Sequence, residues 1–292
     1  MLRGVITAIV TPMNQDGAID FDSLTNLIKF QIKNGIEGLV VAGSTGEGSL
    51  LDPDEKIAVV SHIIKINQGH AKIIMAFNDI ATSFAVEFTK KLNAIPGIDF
   101  YLVTTPAYVR PTQEGMYQHF KTIALTSTRP IILYNIPGRT VCDLDNQTVL
   151  RLAKDHANIV GIKDATGNLT RASGLFEGRG PNFAVYSGDD KTSAEFVLNG
   201  GDGVISVASN LFPDKFKELI SNALSGNKLL VTELNDKFLG LYKALSLESN
   251  PVALKWALSV NGITRHEMVR LPLLPLSVSS QEQMKLVLMD LK

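Results

Sequence analysis

Residues 130–163 read PIILYNIPGRTVCDLDNQTVLRLAKDHANIVGIK. The stretch opens with an apolar run, Pro130–Asn135, and closes with another, Ile159–Lys163. Between them Asp145 leads Val149, Leu150 and Leu152, an apolar stripe at helical spacing behind a capping residue. Neither run alternates polar and apolar residues, which is the pattern of strands buried on both faces of a parallel sheet. A strand, a crossover helix and a second parallel strand form one βαβ unit.

The unit repeats in both directions. Val5–Val10, Gly38–Ala42, Lys72–Phe77, Phe100–Thr105, Phe183–Ser187 and Gly203–Val207 are similar runs, which makes eight in all. Helix starts fall between them. Asp20 precedes Leu24, Leu27, Ile28 and Ile32, with Gly35 as a stop. Asp52-Pro53-Asp54-Glu55 puts proline at the first helical position and acids in the first turn. Thr112-Gln113-Glu114 opens another helix, and Lys191–Asn199 is ended by Gly200-Gly201. Eight alternations predict a closed (β/α)8 TIM barrel, with an open doubly wound sheet as the competing architecture. The units end near Gly226, and Leu229–Leu247, Pro251–Val260 and Gln281–Leu291 then read as helices. A length of 292 residues suggests two domains, but the pattern divides it into a barrel over 1–226 and a C-terminal helical region over 227–292.

Composition narrows the function. With 28 basic and 29 acidic residues the net charge is −1, so no basic excess points to nucleic acid or an anionic membrane. The single cysteine, Cys142, cannot form an intramolecular disulfide or a multi-thiolate metal site, which predicts a reducing compartment. Without a signal peptide or a transmembrane run, the expected location is the cytoplasm. The five histidines (His62, His70, His119, His156 and His266) read as structural or surface residues in helices or at helix ends, with no metal-ligand spacing. No dinucleotide fingerprint follows the first strand, and no Gly-Lys-Ser/Thr follows the second. No metal or cofactor is expected.

In a barrel the chemistry lies at the C-terminal strand ends. The second run ends Gly43-Ser44-Thr45-Gly46-Glu47-Gly48, where adjacent hydroxyls suit a carboxylate or a proton relay, although an ordinary βα turn fits as well. The fifth ends Tyr134-Asn135-Ile136-Pro137-Gly138-Arg139-Thr140. A phenol there suits acid–base work and an arginine suits a carboxylate; equally, the tyrosine packs the barrel mouth and the arginine faces solvent. The sixth ends Gly161-Ile162-Lys163-Asp164. A lysine closing an apolar strand is either paired, with Asp164 as the obvious partner, or a nucleophile whose neutral form burial favours. Small residues at Ser187-Gly188-Asp189-Asp190 and Gly203–Asn210 would shape a small pocket.

Together these motifs resemble the signatures of the pyruvate-dependent class I aldolases, the dihydrodipicolinate synthase and N-acetylneuraminate lyase superfamily. The resemblance runs from Gly4 to the C-terminal helices and carries the (β/α)8 fold. Gly138-Arg139-Thr140 and Thr105–Gly115 are similar to the synthase branch; a sugar-acid lyase is the alternative. The resemblance implies that Lys163 forms a Schiff base with pyruvate and that Tyr134, Ser44 and Tyr108 relay protons. It also implies that Thr45 holds the pyruvate carboxylate, that Arg139 holds L-aspartate 4-semialdehyde, and that Gly188 and Ile205 line the pocket. It places the reaction in diaminopimelate and lysine biosynthesis. It further implies a homo-oligomer, at least a dimer and commonly a dimer of dimers, because Tyr108 would come from a neighbouring subunit. Three departures stand out. Ser44 replaces the usual threonine, with a freer rotamer, and Ala107 replaces a frequent interface aromatic. Pro53, Lys56, Ile80, Phe84 and Ala107 replace a lysine-binding set, so feedback inhibition by lysine is expected to be weak or absent.

Overall fold

The computed structural model describes residues 2–291. Eight strands close into a barrel in chain order: β1 (Gly4–Ala8), β2 (Gly38–Val41), β3 (Lys72–Phe77), β4 (Phe100–Thr104), β5 (Ile131–Asn135), β6 (Ile159–Asp164), β7 (Ala184–Ser187) and β8 (Gly203–Ser206). Every neighbouring pair is parallel, and β1 closes on β8 with Gly4 opposite Gly203. The open-sheet alternative is therefore excluded.

The crossover helices are α1 (Phe21–Lys33), α2 (Pro53–Asn67), α3 (Thr82–Asn93), α4 (Gln113–Thr126), the single turn α5 (Pro137–Thr140), α6 (Asn146–Asp155), α7 (Leu169–Gly178), α8 (Asp190–Leu198) and α9 (Pro213–Leu224). Their ends follow the local chemistry. Asp20 caps α1 by accepting from the backbone N–H groups of Asp22 and Ser23. Past α1, Gly35 sits at φ +69°, the left-handed conformation that glycine adopts without a Cβ penalty. Asp52 and Glu55 form a reciprocal capping box around Pro53. Asp145 caps α6 through the N–H of Thr148. The turn α5 has no counterpart in the sequence reading, and it is what carries Arg139.

Then come α10 (Lys228–Leu245), α11 (Val252–Val260) and α12 (Val278–Asp290). Helix α12 starts three residues before the predicted Gln281 because Ser277 caps it through the N–H of Ser280. His266 lies in the loop after α11 rather than at a helix end. No helix among the described residues is long and apolar enough to cross a membrane.

Side chains alternate between two apolar layers. Ile6, Ala8, Val40, Ile74, Leu102, Ile132 and Tyr134 point into the barrel with Tyr186 and Ile205. Val5, Leu39, Ile73, Ile131, Leu133 and Ile162 point out against the helices. The outer layer runs without a break into the last three helices through Phe216, Phe238, Trp256, Met284 and Leu288.

Candidate active site

Strand β6 brings Lys163 to the barrel mouth with its side chain inward, only 6% exposed. Its register partners are Tyr134 on β5 and Tyr186 on β7. The ammonium lies 4.2 Å from the centroid of the Tyr134 ring, and Tyr134 is itself 4% exposed. Asp164 points the other way. Its Oδ2 accepts from Nε of Arg171 at 2.6 Å, and its Oδ1 accepts from the N–H and hydroxyl of Thr166. The structural explanation for Lys163, a pair with Asp164, therefore fails; the lysine stands over an aromatic ring while its neighbour is engaged elsewhere.

Gly188 makes room for this lysine. A Cβ there would lie 2.8 Å from Cε of Lys163 and 2.7 Å from Cβ of Ala165. The Gly188 N–H donates to the Asp164 carbonyl at 2.7 Å, which fixes the loop after β7 against β6. Ile205 lies in the same inward layer as Tyr134.

The loop after β2 supplies the hydroxyls. Gly48 N–H donates to the Gly43 carbonyl at 3.0 Å and closes the loop on itself. A Cβ at Gly48 would fall 1.8 Å from the Ala42 carbonyl oxygen, so only glycine fits. Ser44 and Arg139 line one cavity of about 300 Å3 with Thr104, Thr105 and Ala107. Thr45 is buried, and its Oγ1 accepts from Nδ2 of Asn250 at 3.0 Å. Arg139, exposed on α5, donates from an η nitrogen to the Asn250 carbonyl at 3.2 Å. Gly188 lines a second cavity, which meets the first at Asn250.

Tyr108 stands apart. It is 88% exposed, with φ +70° in the left-handed region. Among the described residues no hydrogen bond joins it to Ser44 or Tyr134. Of the eight residues the sequence singled out, Ser44 and Arg139 line the first cavity and Gly188 the second, Lys163, Tyr134, Thr45 and Ile205 are buried and line neither, and Tyr108 lies on the surface.

Three residues that the sequence reading gave no role support the mouth. Asn250 bridges Thr45 and Arg139 from beyond the barrel. Thr140 accepts from the Thr105 hydroxyl at 3.1 Å and ties the loops after β4 and β5 together. The Cys142 thiol supports the same join by donating to the Pro106 carbonyl at 3.1 Å. For Asn250 the local signal is the Asn250-Pro251 pair, that of a turn, and nothing in it points to the barrel mouth.

A buried lysine over a tyrosine at the open end of a (β/α)8 barrel, with hydroxyls and an arginine on the segments after β2 and β5, fits a class: lyases of the class I aldolase type, which work through a lysine nucleophile. Comparison with known proteins specifies it. The model of the dihydrodipicolinate synthetase family matches residues 1–291, and the chain belongs to that family. It is 42% identical over 291 residues to the 4-hydroxy-tetrahydrodipicolinate synthase of Aromatoleum aromaticum, covering 99% of this chain and 98% of the relative. The chloride-inhibited dihydrodipicolinate synthase of Acinetobacter baumannii, solved with pyruvate, superposes with a TM-score of 0.96 at 42% identity, covering 99% of both chains. A monomeric dihydrodipicolinate synthase variant superposes with a TM-score of 0.95 at 37% identity, covering 99% of this chain and 96% of that one.

Proposed function

We propose that the chain condenses pyruvate with L-aspartate 4-semialdehyde to 4-hydroxy-tetrahydrodipicolinate, in the diaminopimelate and lysine pathway, with Lys163 as the Schiff-base lysine. The observation that carries this reading is the placement of Lys163: buried, at a strand end, over Tyr134, with Asp164 held elsewhere by Arg171.

The Lys163 amine adds to the keto carbon of pyruvate, and water leaves. The protonated imine draws electrons from the methyl group, whose proton departs to give an enamine. The enamine carbon forms a bond to the aldehyde carbon, and the aldehyde oxygen takes a proton. The substrate amine then attacks the imine carbon and releases Lys163. Tyr134, whose ring lies against the lysine, is the proton carrier. Thr45 and the adjacent backbone hold the pyruvate carboxylate, and Arg139 holds that of the semialdehyde. Gly188 and Ile205 bound the pyruvate side. The electron sink is the imine itself, so the scheme uses no cofactor.

Ser44 and Tyr108 complete the relay in this reading, with Tyr108 supplied by a second copy of the chain. The exposure of Tyr108 and Val109 after β4, and of Ile80 and Phe84 after the neighbouring β3, supports that contact. A dimer of dimers is the assembly we favour. The cytoplasm fits an enzyme of small metabolites with one, buried, cysteine.

Borohydride reduction in the presence of pyruvate, followed by peptide mass analysis, tests the core of the scheme. The expected result is one adduct on Lys163; an unmodified Lys163 would remove the Schiff base. A coupled assay with both substrates then separates synthase from sugar-acid lyase. Arg139→Ala is expected to impair condensation while leaving pyruvate trapping intact.

A further inference from the structure

The residues that close the barrel mouth from outside include a buried pair that the scheme above does not use. Lys255, on α11, is 1% exposed. Its Nζ donates to Oε1 of Glu47 at 2.5 Å, across 208 positions of sequence. Glu47 belongs to the Gly43–Gly48 loop, two residues after Thr45, and its backbone is left-handed at φ +54°. Its other oxygen accepts from the Arg270 N–H at 2.9 Å. From the opposite side the Thr11 hydroxyl donates to the Gly46 carbonyl at 2.7 Å. Thr45 itself is held by Asn250, five residues before Lys255, and the Asn250 carbonyl also holds Arg139.

We propose that Lys255 and Asn250 are positioning residues that clamp the loop carrying Thr45, and through Asn250 the guanidinium of Arg139, so that the two substrate carboxylates are received at a fixed separation. This rests on Thr45 and Arg139 being the carboxylate-binding residues. The argument is one of alternatives. A buried ion pair is not a route to stability, since apolar side chains of the same volume usually serve as well or better. What the pair supplies is direction. A charge-assisted hydrogen bond fixes the position of Glu47 against α11 far more tightly than apolar contact would. Three of the loop's four central residues, Thr45, Gly46 and Glu47, are each tied to an element outside the loop. Such restraint suits a group that must meet a carboxylate in one geometry.

The test separates positioning from folding. Lys255→Met leaves Glu47 buried and unpaired, so it loses stability whatever its role. The double variant Glu47→Gln/Lys255→Met removes both charges and should melt close to wild type. If the clamp positions Thr45, the double variant still shows a pyruvate KM raised roughly tenfold or more, with kcat changed by only a few-fold. A double variant that recovers both wild-type melting and wild-type pyruvate KM overturns the proposal. Asn250→Ala, which leaves no buried charge behind and keeps the backbone carbonyl that Arg139 uses, should raise KM for pyruvate; an unchanged pyruvate KM overturns it equally, and this variant carries the test if the others do not fold. Borohydride trapping of pyruvate by the wild type is run alongside. Failure there ends the Schiff-base reading, whereas a trapping wild type and an indifferent double variant end the clamp alone.

Discussion

Ile162 and Lys163 are neighbours on β6 and face opposite ways. Ile162, fully buried, packs outward in the layer between strands and helices. Lys163 points into the barrel mouth over Tyr134. The outward face is a continuous apolar seam that holds the barrel to its helices. The inward face ends in ionisable and hydroxyl groups that contribute little cohesion and set the chemistry. One strand thus divides stability from reactivity between alternate positions, and substitutions on the two faces should fail in different ways.

The largest expected effect is on the inward face. Lys163→Met should lower turnover by roughly 10³-fold or more and abolish borohydride trapping, without lowering the melting temperature. A variant that melts much earlier would assign Lys163 a structural share and blur the division. Gly188→Ala comes next. Its methyl would press on Cε of Lys163 from 2.8 Å, and a displacement approaching 1 Å at a reacting group costs about 100-fold in rate. Steady-state kinetics with folding checked by circular dichroism would show it.

The outward face should answer in stability. Ile162→Ala is expected to cost about 2–5 kcal/mol in urea unfolding, with the activity per folded molecule largely kept. His119 extends the contrast to α4. Burial holds its imidazole down at about 4, with Nδ1 against the Thr82 hydroxyl. Between pH 6.5 and 4 the unfolded chain takes up a proton that the folded chain refuses. That residue's contribution therefore falls with acidification, by up to about 3 kcal/mol. His119→Gln should show a shallower loss of stability over that window than the wild type; parallel curves would assign the loss to other groups. The smallest expected effect is none. Lys56 lies buried, 5.4 Å from the Phe88 ring centroid, and a cation already in place disfavours a second ammonium there. Half-maximal inhibition by sub-millimolar lysine would refute this.

The strands were legible because each is a short apolar run, and the caps were legible because aspartate, threonine and proline act locally. Lys163 and Tyr134 stood out because polar groups at apolar strand ends are costly unless used, and Arg139 because it follows the fifth run within four residues. The turn α5 was not visible, since a single helical turn has no periodicity to detect. Asn250 and Lys255 were invisible for another reason. Their partners lie 205 and 208 positions away, and no local pattern encodes a contact of that span.

Those spans also bear on how the molecule comes into being on the ribosome. β1 waits for β8, and Ala8 receives the amide of Asn210 across 202 positions. Thr45 waits longer, until Asn250 has been made and has cleared the exit tunnel. Synthesis runs from the N-terminus at about 5–20 residues per second. Strand β6 therefore emerges with its lysine well before the mouth around it is finished. Reactive amine and organised pocket come together only when most of the chain is out, so a polypeptide interrupted in translation has the nucleophile without the site.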